Sequence, residues 1–185
     1  MEEVGYWHHA HSFVRGNWRN SEESSPMILQ KCCHDMDIML WLADSSCESI
    51  SSFGKLTYFR EENAPEGATA YCLDGCPHRE ECAFYAPRYK QTLLLNCVSI
   101  LCSCMKIKTA RFYLEHPKAI EDGLVYAVTD PADTPHVLEA LEKGPYGRCV
   151  FHCDNTVVDH QTVDIKFENQ VTASFLMTAF TNQCA

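Results

Sequence analysis

The clearest alternation of apolar and polar positions lies near the C-terminus. Val163, Ile165 and Phe167 alternate with Asp164, Lys166 and Glu168, and Val171, Ala173, Phe175 and Met177 resume the alternation after Asn169 and Gln170. A period of two puts every apolar side chain on one face of a strand. The pattern therefore predicts an antiparallel hairpin turning at Asn169-Gln170, with one face covered. Ser24–Leu42 instead follows a helical period: Met27, Leu29, Cys33, Met36, Leu40 and Trp41 form its predicted core stripe. Ser24 or Ser25 is its predicted N-cap, and Pro26 follows where a missing N–H costs nothing. Glu3–Val14, rich in aromatic and β-branched residues, is a predicted strand, as is Glu48–Arg60 with a bulge at Gly54. Polar loops are predicted at Arg15–Glu23 and at Glu61–Pro77, the latter marked by Asn63, Pro65, Gly67 and Gly75. Pro135–Lys143 is a predicted short helix, capped by Thr134 and stopped by Gly144. Cys149–His152 is a predicted short strand. The apolar run Thr92–Met105 is about half of what spans a bilayer and is expected as a buried helix or strand.

These elements predict an α+β fold: a mostly antiparallel, open-faced β-sheet with helices packed on one face. The chain of 185 residues fits one domain with its own core. Its net charge of −10 argues against unspecific binding to nucleic acid or to an acidic membrane surface. Met1-Glu2-Glu3 is acidic and no apolar signal region follows, so a cytoplasmic setting is expected. In that setting the twelve cysteines read as reduced thiols rather than a disulfide framework. Cys32, Cys33 and Cys97 lie among apolar residues and are expected as small core side chains.

Several residues carry candidate chemistry. Lys31, His34 and Asp37 recur three apart in the predicted helix and would line one face of it. Arg15, Asn17 and Arg19 in the next loop upstream are candidate substrate contacts, because a guanidinium offers fixed fork donors to oxygen-rich ligands; plain solvation is the alternative. Asp154, Asn155, Asp159 and His160 form a second polar cluster before the hairpin, either in a binding cleft or as loop caps and turns. In the run His8-His9-Ala10-His11, a strand would put His9 and His11 on one face. Cys72, Cys76 and Cys82 have thiolate spacing of a kind that zinc uses, with His78, Cys97, Cys102 or Cys104 as a fourth ligand. Reduced loop thiols are the alternative there.

Several long blocks resemble the C-terminal domain of the Gfo/Idh/MocA oxidoreductases. They are HSFVRGNWRN (His11–Asn20), SSPMILQKCCHDMDIMLWL (Ser24–Leu42), ENAPEGA (Glu62–Ala68), CLDGCPHREECAFYAPR (Cys72–Arg88), YLEHP (Tyr113–Pro117), GPYGRCVFHCDNTVVDHQ (Gly144–Gln161) and VTASFLMTAF (Val171–Phe180). The resemblance implies the substrate-binding and oligomerisation half of an NAD- or NADP-dependent dehydrogenase acting on a sugar, inositol or related polyol. It also implies a homodimer through the sheet face. The family's pattern of Asp, then His four residues later, then Asp three beyond, matches at His34 and Asp37. At its first position this chain has Gln30, which cannot act as a carboxylate. Lys31 sits one residue off, about 100° round a helix. The resemblance places His11 near the substrate and lets Asp159 and His160 face the same cleft.

No G-x-G-x-x-G follows a strand and no E-K-P segment is present. The chain is thus expected to be cut at both ends relative to a complete enzyme, to bind no nucleotide alone and to be inactive alone. Residues 89–111 match nothing in the family and are expected to be an insertion. Two other classes remain open: a non-catalytic binding or pseudoenzyme domain, and a zinc-stapled interaction module built on Cys72, Cys76 and Cys82.

Overall fold

The computed structural model describes residues 5–88 and 134–181. The expected insertion 89–111, with Cys97, Cys102 and Cys104, lies outside the described residues, as does Tyr113–Pro117. The chain divides into two compact units, Met1–Asn63 with Val150–Gln183, and Ala64–Cys149 with Cys184–Ala185.

The first unit is α+β. Its helical elements are α1 (Tyr6–His9), a π-helical segment (Ala10–Arg15), α2 (Met27–Gln30) and α3 (Cys33–Ala43). Its strands are β1 (Cys47–Lys55), β2 (His160–Phe167) and β3 (Thr172–Thr178), antiparallel in the order β1-β2-β3. The hairpin is as the alternation predicts. Val163, Ile165 and Phe167 are buried, and the turn closes with the Phe167 N–H donating to Val171 O at 2.9 Å. Gln170 takes a left-handed φ of 71° there. Met36, Met39 and Ala43 of α3 pack over this apolar face, with Ile28, Ala173 and Phe175 around them. The other face carries the Lys166–Glu48 ion pair at 2.7 Å and the Ser174 hydroxyl bonded to Asp164 at 2.6 Å. Phe53 and Leu176 stand exposed on that face, either side of Thr162.

Four expectations need correction. The expected strand Glu3–Val14 is helical over Tyr6–Arg15. His9, Ala10, Ser12, Phe13, Val14 and Arg15 are all buried, so the segment is enclosed on most sides and shows no helical stripe in its sequence. The expected single helix breaks at Lys31-Cys32 into α2 and α3, which changes the phase of the stripe. Met27 and Met36 still face the core, whereas Leu29, Cys33, Leu40 and Trp41 are exposed. Neither Ser24 nor Ser25 caps it. The Ser24 hydroxyl donates to Asn20 O at 2.7 Å, the Ser25 hydroxyl to Gln30 Oε1 at 3.1 Å, and Pro26 is the N-cap residue. The ladder irregularity in β1 falls between Cys47 and Ser49 rather than at Gly54. Gly54 instead allows close pairing, since a Cβ there would sit 3.1 Å from His160 O and from Gln161 Cγ.

In the second unit, α4 (Thr134–Lys143) ends where the Gly144 N–H donates to Ala140 O at 2.8 Å, as the stop signal predicts. A tight turn, Pro145–Gly147, follows it. Cys149 forms no strand; its neighbour Arg148 makes an isolated antiparallel bridge with Tyr71. The cysteine-bearing loop is held by Arg88, whose guanidinium donates to the carbonyls of Cys82 at 3.1 Å, Arg79 at 2.7 Å and Glu80 at 2.5 Å.

Candidate functional site

The two polar stretches singled out in the first unit meet. After the π-helical segment the chain turns at Gly16, where the Trp18 N–H reaches back to Ser12 O at 3.2 Å. This turn presents Arg19 to Asp154, Nε to Oδ1, at 2.9 Å. The Arg19 carbonyl accepts the Thr156 N–H at 2.8 Å, and Ser21 meets the Thr156 hydroxyl through its N–H at 3.0 Å and its hydroxyl at 3.1 Å. Between Asp154 and Thr156 sits Asn155, buried, with neither amide atom hydrogen-bonded among the described residues. A buried carboxamide without partners is costly, about 1–3 kcal/mol. Such groups in a native structure ask for a water or a ligand.

Asp159 is fully buried at the head of β2. Its carboxylate accepts the N–H of Thr57 at 2.8 Å and of Tyr58 at 2.6 Å, the Thr57 hydroxyl at 3.2 Å, and His160 Nδ1 at 2.8 Å. Burial alone would raise its pKa. The bonds from Tyr58, Thr57 and His160 outweigh it and hold the carboxyl below its ordinary value. Thr57 and Tyr58 carry no sequence signal for this role; the aspartate before a strand is the only hint.

The helical segment reorders the histidines. His9 is buried and stacked between Phe13 and Phe59, with centroids 5.5 and 5.8 Å away. Neither of its ring nitrogens is hydrogen-bonded among the described residues. Burial pushes its pKa down to about 4, against a smaller upward pull from Asp159. His11 is also pushed down to about 4, by burial first and then by Arg15 and His8. In a helix His9 and His11 no longer share a face; His8, His11 and Arg15, spaced three and four apart, do. Arg15 is fully buried, whereas Asn17 in the next turn is exposed.

Lys31, His34 and Asp37 are not aligned on one helix, because Lys31 lies in the break between α2 and α3. Lys31 acts instead on His8, whose pKa it lowers after burial has done so. His34 and Asp37 stand exposed on α3, one turn apart. Gln30, at the family's carboxylate position, lies on α2, with its side chain bound to Ser25.

The zinc expectation does not fit. Among the described residues no three or more His, Cys, Asp or Glu side chains gather as a metal-binding group. Cys72 is buried with its thiol 3.9 Å from Arg148 O, and His78 Nε2 is 2.9 Å from Glu66 O. Among the described residues no helix is long and apolar enough to cross a membrane.

Residues 1–115 match the family model described as the oxidoreductase family, C-terminal alpha/beta domain. The chain belongs to the Gfo/Idh/MocA oxidoreductases. The matched residues contain the Tyr6–Arg15 helical segment, the Arg19 loop, α2, α3 and β1. The Gfo/Idh/MocA model thus covers one side of the Arg19–Asp154 junction directly, while Asp154, Asn155 and Asp159 lie beyond its span. No curated protein and no solved structure matches the chain.

Proposed function

We propose that this chain is the substrate-binding and oligomerisation half of an NAD(P)-dependent oxidoreductase acting on a sugar, inositol or related polyol, and that it is inactive by itself. The observation that carries the reading is the junction of the Arg19 loop with Asp154–Thr156 around buried Asn155. A carboxamide has two donors and a carbonyl acceptor. Its neighbours in the chain, Asp154 and Thr156, hold Arg19 and Ser21, so this stretch brings a guanidinium, a carboxylate and two hydroxyls to the same loop, groups that suit a ligand dense in hydroxyls. Asn17, His11 and His160 are the further substrate contacts, and Asp159 positions His160 through its Nδ1.

The residues present do not fit a nicotinamide nucleotide. The 185 residues contain no G-x-G-x-x-G, the glycine loop that cradles a dinucleotide's pyrophosphate. No step through the nucleotide is therefore derived. In a complete site a base must take the hydroxyl proton as hydride leaves, and His34, with Asp37 one turn away on α3, is the group assigned to it. Gln30 favours the second reading, a binding domain retained without catalysis, because a carboxamide cannot hold the charge that the family's acidic position supplies. A second copy of the chain is the partner assigned to the sheet face that bears Phe53 and Leu176.

Calorimetric titration of the purified chain with myo-inositol, glucitol and glucose, and separately with NADH, tests this. Saturable binding of one polyol, weakened about tenfold by Asn155→Ala through loss of a hydrogen bond worth about 1.4 kcal/mol, with no binding of NADH, is the expected result. NADH binding without any polyol binding would overturn it.

A further inference from the structure

Three rings stack from the interior of the first unit to its surface. Buried His9 lies against Phe59, with centroids 5.8 Å apart and planes at 19°. Phe59, also buried, lies against Phe180 at 5.9 Å and 21°. Tyr58 stands almost perpendicular to both, 5.2 Å from Phe59 and 5.3 Å from Phe180. The stack ends in the open, with Phe180 44% exposed and Tyr58 41% exposed. The two outer rings form a corner, and the buried rings behind it fix its shape before any ligand arrives. His160 stands beside this corner. Its strand partner Thr178 accepts the Phe180 N–H through its hydroxyl at 3.4 Å. The Asp159 carboxylate that takes the Tyr58 N–H at 2.6 Å also takes His160 Nδ1 at 2.8 Å. The imidazole is half-exposed, and with Nδ1 donating to the carboxylate its neutral form keeps Nε2 as an acceptor.

We propose that this corner binds a pyranose ring, with one C–H face of the sugar laid on Phe180 and Tyr58 and a hydroxyl donating to His160 Nε2. The corner rests on the polyol reading for His160 alone. Asn155 and Arg19 take no part in it, so a variant there tells the two apart. Size decides against a protein partner: two rings exposed to this extent offer roughly 150–200 Å², whereas a stable protein interface buries upward of about 1,000 Å². A single sugar ring matches the smaller area. The face of an aromatic ring is electron-rich, and a pyranose turns several polarised C–H bonds to one side while its hydroxyls radiate from the rim. A planar base would use the rings but leave the imidazole acceptor unmet. In a β-D-glucopyranoside the protons on C1, C3 and C5 are axial on one side, and that is the side the corner takes.

Saturation-transfer NMR on the full chain, with the aromatic protein protons irradiated, tests this with methyl β-D-glucopyranoside, and with glucitol and AMP alongside. Expected is transfer to the glucoside that is strongest at the protons on C1, C3 and C5, and weaker transfer to glucitol, an open chain without a ring face. Phe180→Leu, and separately Tyr58→Leu, should weaken glucoside binding about fivefold, the worth of one aromatic contact, and even out the transfer among its protons. Both side chains are partly exposed, and Tyr58→Leu keeps the backbone bond to Asp159. Asn155→Ala should leave the pattern unchanged. A pattern kept in both ring variants would overturn the corner, and its loss in Asn155→Ala would then leave the polyol reading standing. AMP bound in place of the glucoside, with its base protons saturated, would overturn the assignment to a sugar. Transfer to none of the three would overturn the corner as a binding site.

Discussion

Asp159 loses all contact with water yet keeps its charge, because two backbone amides, a hydroxyl and an imidazole point at it. The amides and the hydroxyl come from Thr57 and Tyr58, about a hundred residues away in sequence, at separations of 102 and 101, and the imidazole from the adjacent His160. The aspartate could be picked out from the chain, but not its partners, because nothing local encodes such a pairing. Its lowered pKa means that the stability it supplies is complete above the ordinary value of 3.8 and is lost as pH falls through the native value. His9 acts earlier. Its pKa falls from 6.5 to about 4 in the native state, so the unfolded chain binds the proton first and stability declines from pH 6.5 down to about 4. Urea unfolding at pH 7 and pH 5 should show a drop to which His9 contributes about 2 kcal/mol, at 1.36 kcal/mol per pKa unit. His9→Phe, which suits the stack with Phe13 and Phe59, should remove that share of the drop. A pH dependence unchanged by His9→Phe would contradict the assignment. Asp159→Asn should lower stability by roughly 2–3 kcal/mol at pH 7, as expected when a buried hydrogen-bonded charge is lost.

At the scale of elements, legibility followed how many sides an element buries. The β2–β3 hairpin has one covered face, so its alternation wrote the register directly: Val163, Ile165 and Phe167 are inside as expected. The Tyr6–Arg15 segment is buried from His9 to Arg15 except at His11, so no stripe separated helix from strand, and its aromatic and β-branched residues pointed the wrong way. The break at Lys31-Cys32 carries neither glycine nor proline, the usual punctuation. α3 stops more visibly, with Asp44 at φ 45° donating its N–H to Leu40 O at 3.1 Å. A left-handed residue after a helix favours glycine. Asp44→Gly should therefore raise the unfolding free energy by about 0.5–1 kcal/mol. A lowered melting temperature in that variant would count against the cap.

For the whole molecule, family membership and the α+β character were both legible from long sequence blocks and from periodicity. The candidate site was legible in part. Arg19, Asp154 and Asn155 were named as two polar stretches, but their meeting depends on a contact across 135 residues. Arg15 was expected to lie in a solvent-facing loop and is fully buried instead, because the loop begins only at Gly16. The row of Lys31, His34 and Asp37 dissolved once the helix broke between its first and second members. What remains is a junction in which Asn155, its carboxamide without a hydrogen bond among the described residues, follows Asp154 of the Arg19–Asp154 pair.

The most direct test of that account follows side-chain NMR signals of the ¹⁵N-labelled chain while myo-inositol or glucose is added. The account predicts that Asn155 Nδ2 and Arg19 Nε shift together and saturate at one ligand concentration. Saturating shifts confined to the exposed α3 face around His34 and Asp37, or no saturable shift at Asn155 with either ligand, would contradict it.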